Sequence, residues 1–398
     1  MKPALDLAKI KQSANKLSVV SEKQANMFLR NLSDVLLLRQ KEISAANKKD
    51  ITKAKINGLS SAFIDRLVLD EEGIKNLILK LKDIERLQSS VGDIIEEKIV
   101  ENKLLLRKVR ASLGVILVIY EARPEVTIDV AALCIKSGNA AILKGGSEAL
   151  ETNKILYSCI KAGLEKSGLN KESLNFISSE DRKITSWLLT QHDYIDLVIA
   201  RGGYGLVKTI LKQSTIPVMA HAAGGARIYV DKTADLSIAE KIIINAKTSK
   251  PAACNSLDTV VVHQEIAAEF KSKITSVLKA TGVKIIENEW DTELLGLRMS
   301  IKVVRNVEEA VDFINRHGRK HSEGIVAADK KIIHYFTKSV DTAALFINCS
   351  TRLHDGYVFG LGSEMGISTG KLHARGPVGL KELTTYKWEV YGNGQTRE

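Results

Sequence analysis

Short apolar segments rich in Val and Ile constrain the fold of this chain most strongly. Three of them occupy residues 115–120 (VILVIY), 140–144 (AAILK) and 195–200 (IDLVIA), and helix-like stretches at 128–136 and 149–166 separate them. Strands that are apolar on both faces and alternate with helices are typical of parallel sheets covered by helices. This half of the chain therefore predicts an open α/β sheet, which binds ligands beyond the carboxyl ends of its strands.

A second alternating set follows Ala226. It predicts a helix at 235–247 and strands at 226–230, 258–263, 283–286 and 344–348. The first hundred residues read as helices, and Ser21 to Gln24 have the spacing of a capping box. Residues 384–390 alternate like a strand that could extend the sheet of another subunit. A chain of 398 residues is long enough for two such α/β domains.

Composition narrows the possible partners. The formal net charge of +11 attracts anions, but the lysines are dispersed and aromatic residues make up only 5% of the chain. Small acidic ligands are therefore favoured over nucleic acid. No apolar run approaches the roughly 20 residues that a membrane span needs, and the N-terminus lacks the pattern of a signal peptide. We expect a cytoplasmic protein that binds neither nucleic acid nor membrane.

The four cysteines are widely separated and are expected to be free thiols. Cys254 follows a predicted helix and precedes a strand, and Lys247 and Lys250 would favour its reactive thiolate. From spacing alone, a buried structural cysteine is the commoner alternative. The same alternative applies to the other three, Cys134, Cys159 and Cys349.

Two further patterns suggest ligand sites. Glycine turns follow the strands at 140–144 and 195–200, where they could approach phosphate groups or simply form tight turns. His317 and His321 are four residues apart, a spacing that suits metal ligands on a helix. The basic residues around them would repel a cation, so no metal is expected.

Several segments together resemble the aldehyde dehydrogenase superfamily and, within it, the γ-glutamyl phosphate reductases. These segments are 114–149, 195–203, 215–218, 245–256, 347–356 and 360–383. Three elements are specific to these reductases: Glu-Ala-Arg-Pro at 121–124, Ser-Thr-Arg at 350–352 and His-Ala-Arg-Gly-Pro at 373–377.

The resemblance implies an aldehyde dehydrogenase-like α/β fold with two Rossmann-like domains and a small oligomerisation arm. Residues 1–225 would form the N-terminal helices and the NADP-binding domain, to which the chain would return near 366–385. Residues 226–365 would form the catalytic domain, and the tail 386–398 is a candidate oligomerisation strand.

The implied activity is a glutamate-5-semialdehyde dehydrogenase of proline biosynthesis. It would reduce L-glutamyl 5-phosphate to L-glutamate 5-semialdehyde with NADPH, through a thioester on Cys254 and with release of phosphate. The resemblance also implies a stand-alone reductase, a homodimer or homotetramer supplied by a separate glutamate kinase. The alternatives are another aldehyde or acyl-CoA reductase of the superfamily, or a catalytically impaired paralogue that acts as a binding protein.

The resemblance also assigns cofactor contacts. Lys144 would reach the adenosine ribose. Ser147 stands where NAD-preferring relatives carry a ribose-binding glutamate, so repulsion of a 2′-phosphate is removed and NADPH is favoured. Gly202 and Gly203 match the turn near the pyrophosphate, and Glu293 matches the glutamate that holds the nicotinamide ribose.

Substrate contacts complete the set of candidates. Arg352 and Arg375 could grip the carboxylate or phosphate of the substrate, with a structural ion pair as the alternative for each. Glu125 stands where many relatives have the asparagine that donates to the oxyanion, and an ionised carboxylate cannot donate. In the segment 221–227 (HAAGGAR), His221 is retained as a candidate substrate ligand, with a structural role as the alternative, but the usual aspartate is replaced by Ala223.

Overall fold

A computed structural model describes residues 5–220 and 224–397, apart from the side chain of Ala62. The helices are α1 Leu7–Leu17, α2 Glu22–Leu38, α3 Gln40–Ile56, α4 Ser61–Asp65, α5 Glu71–Arg86, α6 Val126–Lys136, α7 Leu150–Lys166, α8 Arg182–Leu188, α9 Tyr204–Gln213, α10 Leu236–Thr248, α11 Gln264–Ala280, α12 Val307–His317 and α13 Lys330–Ser339. The strands are β1 Ile94–Ile99, β2 Leu105–Ser112, β3 Val115–Tyr120, β4 Ala140–Gly145, β5 Leu174–Phe176, β6 Leu197–Arg201, β7 Val218–Ala220, β8 Ala226–Val230, β9 Leu257–His263, β10 Lys284–Ile285, β11 Arg298–Val304, β12 Ser322–Val326, β13 Ala344–Ile347, β14 Ile367–Ser368, β15 Gly376–Pro377 and β16 Thr384–Tyr391.

The chain forms two compact units. The first contains the described residues through Ala220, Leu361–Gly366 and the described residues from Val378 onward. The second contains the described residues from Gly224 to Gly360, together with Ile367–Pro377.

A parallel five-stranded sheet forms the centre of the first unit, in the order β5-β4-β3-β6-β7. Every residue of β3 is buried, as its uninterrupted apolar sequence predicts. Tyr120 pairs with Gly145 on one side and with Arg201 on the other. Strands β4, β3 and β6 therefore end at the same edge of the sheet. Strands β4 and β5 lie on one side of β3, and β6 and β7 lie on the other. The strand order therefore reverses at β3, and such a switch point is where parallel sheets bind ligands.

Helices of the N-terminal segment pack around this sheet. Helix α2 begins after Ser21, whose side chain accepts a hydrogen bond from the Gln24 N–H, as the capping pattern predicts. Its apolar face is buried through Phe28, Leu29 and Leu32. The predicted C-terminal strand is confirmed as β16, which pairs with β2 in an antiparallel sheet of three strands. Strand β1, at one edge of that sheet, is exposed along its whole length.

A parallel six-stranded sheet, in the order β10-β11-β9-β8-β12-β13, forms the second unit. One face packs on α10 and α11 through residues such as Ile243 and Phe270, and the other packs on α12 and α13 through Ile314 and Phe336. The two parallel sheets confirm the predicted α/β class. None of the helices in the described ranges is long and apolar enough to cross a bilayer.

Candidate active site

Cys254 lies in the loop between α10 and β9 and is partly exposed. The Gly225 N–H donates a hydrogen bond to the Cys254 carbonyl oxygen at 2.6 Å. A Cβ atom on Gly224 would lie 2.5 Å from the Cys254 Cα, so only glycine permits this approach of the two backbones. The sequence pattern did not reveal that these two glycines fix the position of the thiol-bearing residue.

The other cysteines have less reactive surroundings. Cys134 and Cys159 are buried, and Cys349 is partly exposed. Burial raises the pKa of all three thiols and so disfavours their thiolate forms. This burial is consistent with a structural role, which was the alternative predicted for these three cysteines.

Arg352 lies beside the loop of Cys254. Its side chain donates hydrogen bonds to Asn255 Oδ1 and, at 3.2 Å, to Ser249 Oγ. Burial lowers the pKa of this guanidinium, and the thiolate of Cys254 and the carboxylate of Asp355 raise it. The guanidinium of Arg352 and the thiol of Cys254 are therefore within electrostatic reach of each other, and a nearby cation favours a thiolate.

Two hydrogen bonds connect the loop of Cys254 to the segment at 351–354, which contains Arg352. Thr351 Oγ1 donates to the Asn255 carbonyl at 2.9 Å, and Asn255 Nδ2 donates to the His354 carbonyl at 2.9 Å. Asn255 is buried. Asn255, the residue after Cys254, thus orders the segment that carries Arg352.

The position of Lys247 in the sequence suggests a side chain in the solvent beside Cys254, but the structure places this side chain in the interior. It is fully buried and donates a hydrogen bond to the Leu294 carbonyl oxygen at 2.8 Å, with its Nζ 3.9 Å from Asp258 Oδ1. Burial lowers the pKa of Lys247 to about 8 and raises that of Asp258 to about 6. Glu293, the candidate ribose ligand, precedes Leu294 and raises the pKa of Asp258 further.

A second buried ionic group lies in the sheet of this unit. Arg227 in β8 and Glu323 in β12 are both buried, and the Arg227 N–H donates to Glu323 Oε2 at 2.8 Å. Arg227 Nη2 also donates to the Trp290 carbonyl at 3.0 Å. Burial raises the pKa of Glu323 to about 8, although the charge of Arg227 lowers it. Arg227 is the last residue of the segment in which this chain departs from the family pattern.

Arg375 is ion-paired. Its Nη1 lies 2.7 Å from Asp341 Oδ1, and Lys320 and Lys371 each lie 3.2 Å from the other carboxylate oxygen. Burial alone would raise the pKa of Asp341, but hydrogen bonds from Arg375, Lys371 and Lys320 hold it well below its usual range. In the described part of the chain, Arg375 Nε and Nη2 have no hydrogen-bond partner. The structural ion pair weighed from the sequence is thus present, and two donor atoms remain uncommitted.

The candidate cofactor residues of the first unit lie at the carboxyl edge of its sheet. Lys144 is the penultimate residue of β4, and its Nζ donates to the Gly145 carbonyl at 2.9 Å. Burial lowers the pKa of Lys144, and Glu148 and Glu180 raise it. Ser147 is exposed and begins a short 3₁₀ turn ahead of α7.

Carboxylates that the sequence analysis did not identify line the same edge. Gly202 and Gly203 lie between β6 and α9, and the Gly203 N–H donates to Glu121 Oε2 at 2.6 Å. A Cβ on Gly202 would lie 2.6 Å from that same oxygen. Glu148 accepts a hydrogen bond from the Ala122 N–H at 2.5 Å. The turn after β6 therefore binds a carboxylate from the segment after β3, and the turn after β4 supplies a carboxylate to that same segment. The contact of Glu121 with Gly203 spans 82 residues of sequence and has no local sequence signal.

Glu125 lies at the start of α6, in the same region. Burial raises the pKa of its carboxyl group. The positive charges of Arg123 and Arg201 lower this pKa, and the negative charge of Asp129 raises it. The preceding residues Ala122 and Arg123 have φ values of 48° and 41°, so the backbone that leads into α6 is left-handed there. The raised pKa favours the protonated carboxyl, the form that could donate a hydrogen bond.

The structure brings the candidates together in two groups. In the second unit, Cys254 and Arg352 are neighbours, and Glu293 is tied to the same loop region because the Gly296 N–H donates to the Pro251 carbonyl at 3.1 Å. In the first unit, one sheet edge carries Lys144, Ser147, Gly202, Gly203 and Glu125. His221 lies outside the described residues.

Comparisons with known proteins give the same family. Residues 95–294 match the aldehyde dehydrogenase family. The chain is 41% identical to a γ-glutamyl phosphate reductase of Carboxydothermus hydrogenoformans, over 100% of both chains. The crystal structure of γ-glutamyl phosphate reductase from Thermotoga maritima has a TM-score of 0.96 and 38% identity, and the match covers 98% of this chain and 99% of that one.

A more distant structure shares the fold alone. An engineered glycolyl-CoA reductase with bound NADP⁺ has a TM-score of 0.70 and 15% identity, covering 97% of each chain. The expected aldehyde dehydrogenase-like fold is thereby confirmed. The full-length match to the reductases confirms the family resemblance seen in the sequence, and the chain belongs to the γ-glutamyl phosphate reductases of the aldehyde dehydrogenase family.

Proposed function

We propose that this chain reduces L-glutamyl 5-phosphate to L-glutamate 5-semialdehyde with NADPH and releases phosphate, as a step of proline biosynthesis. One observation carries the chemistry. Cys254 is partly exposed, its backbone is fixed against Gly224 and Gly225, and the cation of Arg352 is within electrostatic reach. A fixed thiolate near a guanidinium suits nucleophilic attack on an acyl phosphate.

The proposed reaction passes through a thioester. The Cys254 thiolate attacks the acyl carbon, the carbon–oxygen bond to phosphate breaks, and the phosphate leaves with the bonding electrons. Arg352 favours the thiolate and can bind the leaving phosphate, since guanidinium groups pair with phosphate in two hydrogen bonds. NADPH, when bound, supplies the hydride that converts the thioester to the aldehyde. Arg375 and His221 remain candidate contacts for the rest of the substrate.

Reduction rather than oxidation is favoured by the residues around the thiol. An aldehyde oxidiser has to activate water to hydrolyse its thioester, which needs a general base. The segment 219–230 contains no Asp or Glu. The thioester on Cys254 would therefore persist until hydride arrives, or until phosphate attacks it in the reverse direction. We take the Cys254 N–H as a candidate donor to the oxyanion, and Glu125 remains a candidate substrate contact.

The switch-point edge of the first unit fits a dinucleotide. It combines the cation of Lys144 with the two glycines Gly202 and Gly203, whose backbone is open to close approach, and the Glu121 carboxylate now occupies the Gly203 N–H. Ser147, an exposed neutral residue in the turn after Lys144, leaves room for a 2′-phosphate, which supports NADPH over NADH. In the second unit, Glu293 is the candidate ligand of the nicotinamide ribose.

The wider context of the enzyme forms part of the same proposal. The domain boundaries proposed from the resemblance are 1–225 with a return near 366–385, 226–365, and 386–398, whereas the compact units place 361–366 in the first unit and 367–377 in the second. A separate glutamate kinase would supply the acyl phosphate in the cytoplasm. The exposed strand β1 and the exposed Tyr386 and Trp388 of β16 support a homodimer or homotetramer.

The reverse reaction tests this function, because glutamate semialdehyde is more stable than the acyl phosphate. We expect the purified chain to reduce NADP⁺ with glutamate semialdehyde over many turnovers only when inorganic phosphate is added. Cys254→Ala should abolish this activity, and Cys349→Ala, which removes the other partly exposed thiol, should retain it. Phosphate-independent turnover, or activity in Cys254→Ala, would refute the proposal.

A further inference from the structure

A buried ion pair lies beneath the loop of the nucleophile. Lys247, in the last turn of α10, and Asp258, in β9, are exposed by 0% and 2% of their surfaces. Their charged atoms are 3.9 Å apart. Desolvating two charges costs several kcal/mol per ion, and apolar residues of similar volume often stabilise a fold equally well. Stability alone therefore gives a weak reason for this pair.

The pair binds both backbone polar groups of one residue, Leu294. Lys247 Nζ donates to the Leu294 carbonyl oxygen at 2.8 Å, and the Asp258 carboxylate interacts with the Leu294 N–H. Leu294 is buried and lies in an irregular segment ahead of β11. The residue before it is Glu293. The two charges thus hold the backbone at the residue next to the candidate ribose ligand.

The same carboxylate borders the nucleophile loop. A Cβ atom on Gly225 would overlap Asp258 Oδ2, so the carboxylate lies directly against the Gly225 backbone. Gly225 in turn donates its N–H to the Cys254 carbonyl at 2.6 Å. Asp258 therefore contacts the segment that fixes Cys254 and the segment that carries Glu293.

We propose that Lys247 and Asp258 are positioning residues that set the distance between Glu293 and Cys254, and hence between the hydride donor and the thioester carbon. Neither side chain touches substrate or cofactor in this account. The inference rests on the proposed function, in which Glu293 holds the nicotinamide ribose. Its consequence is that the pair acts on the hydride-transfer step, because a displacement of about 1 Å can cost about a hundredfold in rate.

The test removes both charges together, so that no unpaired charge remains in the interior. In Lys247→Met with Asp258→Leu, we expect thermal stability to be retained or raised. We expect kcat of the reverse reaction to fall about ten- to a hundredfold, as a small displacement of the reacting groups implies. The deuterium isotope effect with semialdehyde labelled on its aldehyde carbon should increase, because hydride transfer becomes rate-limiting.

A matched control separates position from stability. Lys136 is another fully buried lysine, in the first unit, with its Nζ 2.8 Å from Glu22 Oε1. Lys136→Met should lower the melting temperature and leave kcat and the isotope effect unchanged. If the apolar pair behaves like this control, or keeps wild-type kcat and isotope effect, the proposal is wrong.

Combination with Glu293→Gln tests the route of the effect. If the pair acts through Glu293, the combined variant should lose no more activity than the larger of the two separate losses. Losses that multiply would overturn the positioning role while leaving the proposed function intact. If Glu293 does not bind the nicotinamide ribose, Glu293→Gln alone should leave both kcat and the KM for NADP⁺ unchanged. This outcome is therefore distinguished from a failure of the positioning role.

Discussion

Gly224→Ala is predicted to displace the nucleophile. The added methyl carbon would lie 2.5 Å from the Cα, 2.5 Å from the carbonyl oxygen and 2.6 Å from the Cβ of Cys254. Ordinary contacts between such atoms are about 3.5 Å, so the two backbones have to separate by about 1 Å. Gly224 does not have a positive φ, so the contact rather than backbone strain would cause the effect.

The magnitude follows from the geometry of attack. Misplacing a reacting group by about 1 Å costs about a hundredfold in rate, which corresponds to about 2.7 kcal/mol in the barrier. We therefore expect kcat of the phosphate-dependent reverse reaction to fall about a hundredfold. The KM for NADP⁺ should change little, because the predicted contacts of the adenosine half lie in the other unit.

Gly370→Ala is the matched control. A Cβ there would meet only Ser368 Oγ, at 3.8 Å, which is an ordinary contact. This variant should keep wild-type kcat. The rate of alkylation by iodoacetamide, followed at the Cys254 peptide, reports independently whether the thiol has moved. A Gly224→Ala enzyme with unchanged kcat and unchanged alkylation rate would refute the packing argument.

Further predictions concern pH, cofactor choice and stability. The pKa of Glu323 is raised to about 8 in the folded protein, so its contribution to stability is present at low pH and is lost as pH rises towards 8. In urea unfolding, the wild type should lose stability relative to Glu323→Gln as pH rises from about 5 to 8, by at most about 1 kcal/mol per pH unit. A pH-independent difference would contradict this. Lys144→Met should raise the KM for NADPH about tenfold or more and that for NADH less, since a 2′-phosphate loses a charged partner; equal changes would refute its role at that phosphate. Asp50 is buried and accepts hydrogen bonds from the Thr152 N–H at 2.8 Å and from its hydroxyl at 2.6 Å. Asp50→Ala should lower the free energy of unfolding by about 1–3 kcal/mol without altering kcat, and an unchanged unfolding midpoint would contradict that.

An uninterrupted apolar run was the clearest signal for a strand, although alternation also predicted β16. Strand β3 is buried on both faces, and its residues 115–120 carry no polar side chain other than the tyrosine hydroxyl. Strand β12 is buried throughout as well, yet it contains Ser322 and Glu323, so no apolar run marks it. Glu323 is tolerated there because Arg227 on the neighbouring strand lies against it. A pairing across 96 residues of sequence cannot be read from local periodicity.

Strands β1 and β2 were missed for a different reason. Strand β1 is exposed along its length and contains Glu96, Glu97 and Lys98, so nothing in its composition separates it from a loop. Its partner β2 is only partly buried. Such strands form because a neighbouring strand supplies hydrogen bonds, and this requirement leaves little trace in the sequence.

The site was predictable to the extent that its residues belong to family motifs. The resemblance drew attention to Cys254 and Arg352, whereas their proximity comes from the fold, through contacts of Asn255 with the segment at 351–354. The close approach of Gly224 and the pairing of Lys247 with Asp258 depend on three-dimensional contacts. Neither has a sequence signal beyond a pair of glycines and two charged residues among apolar ones.

The thioester on Cys254 is the central claim, and a single-turnover experiment tests it most directly. With NADP⁺ and glutamate semialdehyde but no phosphate, the enzyme should form one equivalent of NADPH per active subunit and then stop. The acyl group should be found by mass spectrometry on the Cys254 peptide, and added phosphate should release it and restore turnover. Continuous NADPH formation without phosphate, or an acyl group on any other cysteine, would contradict the account.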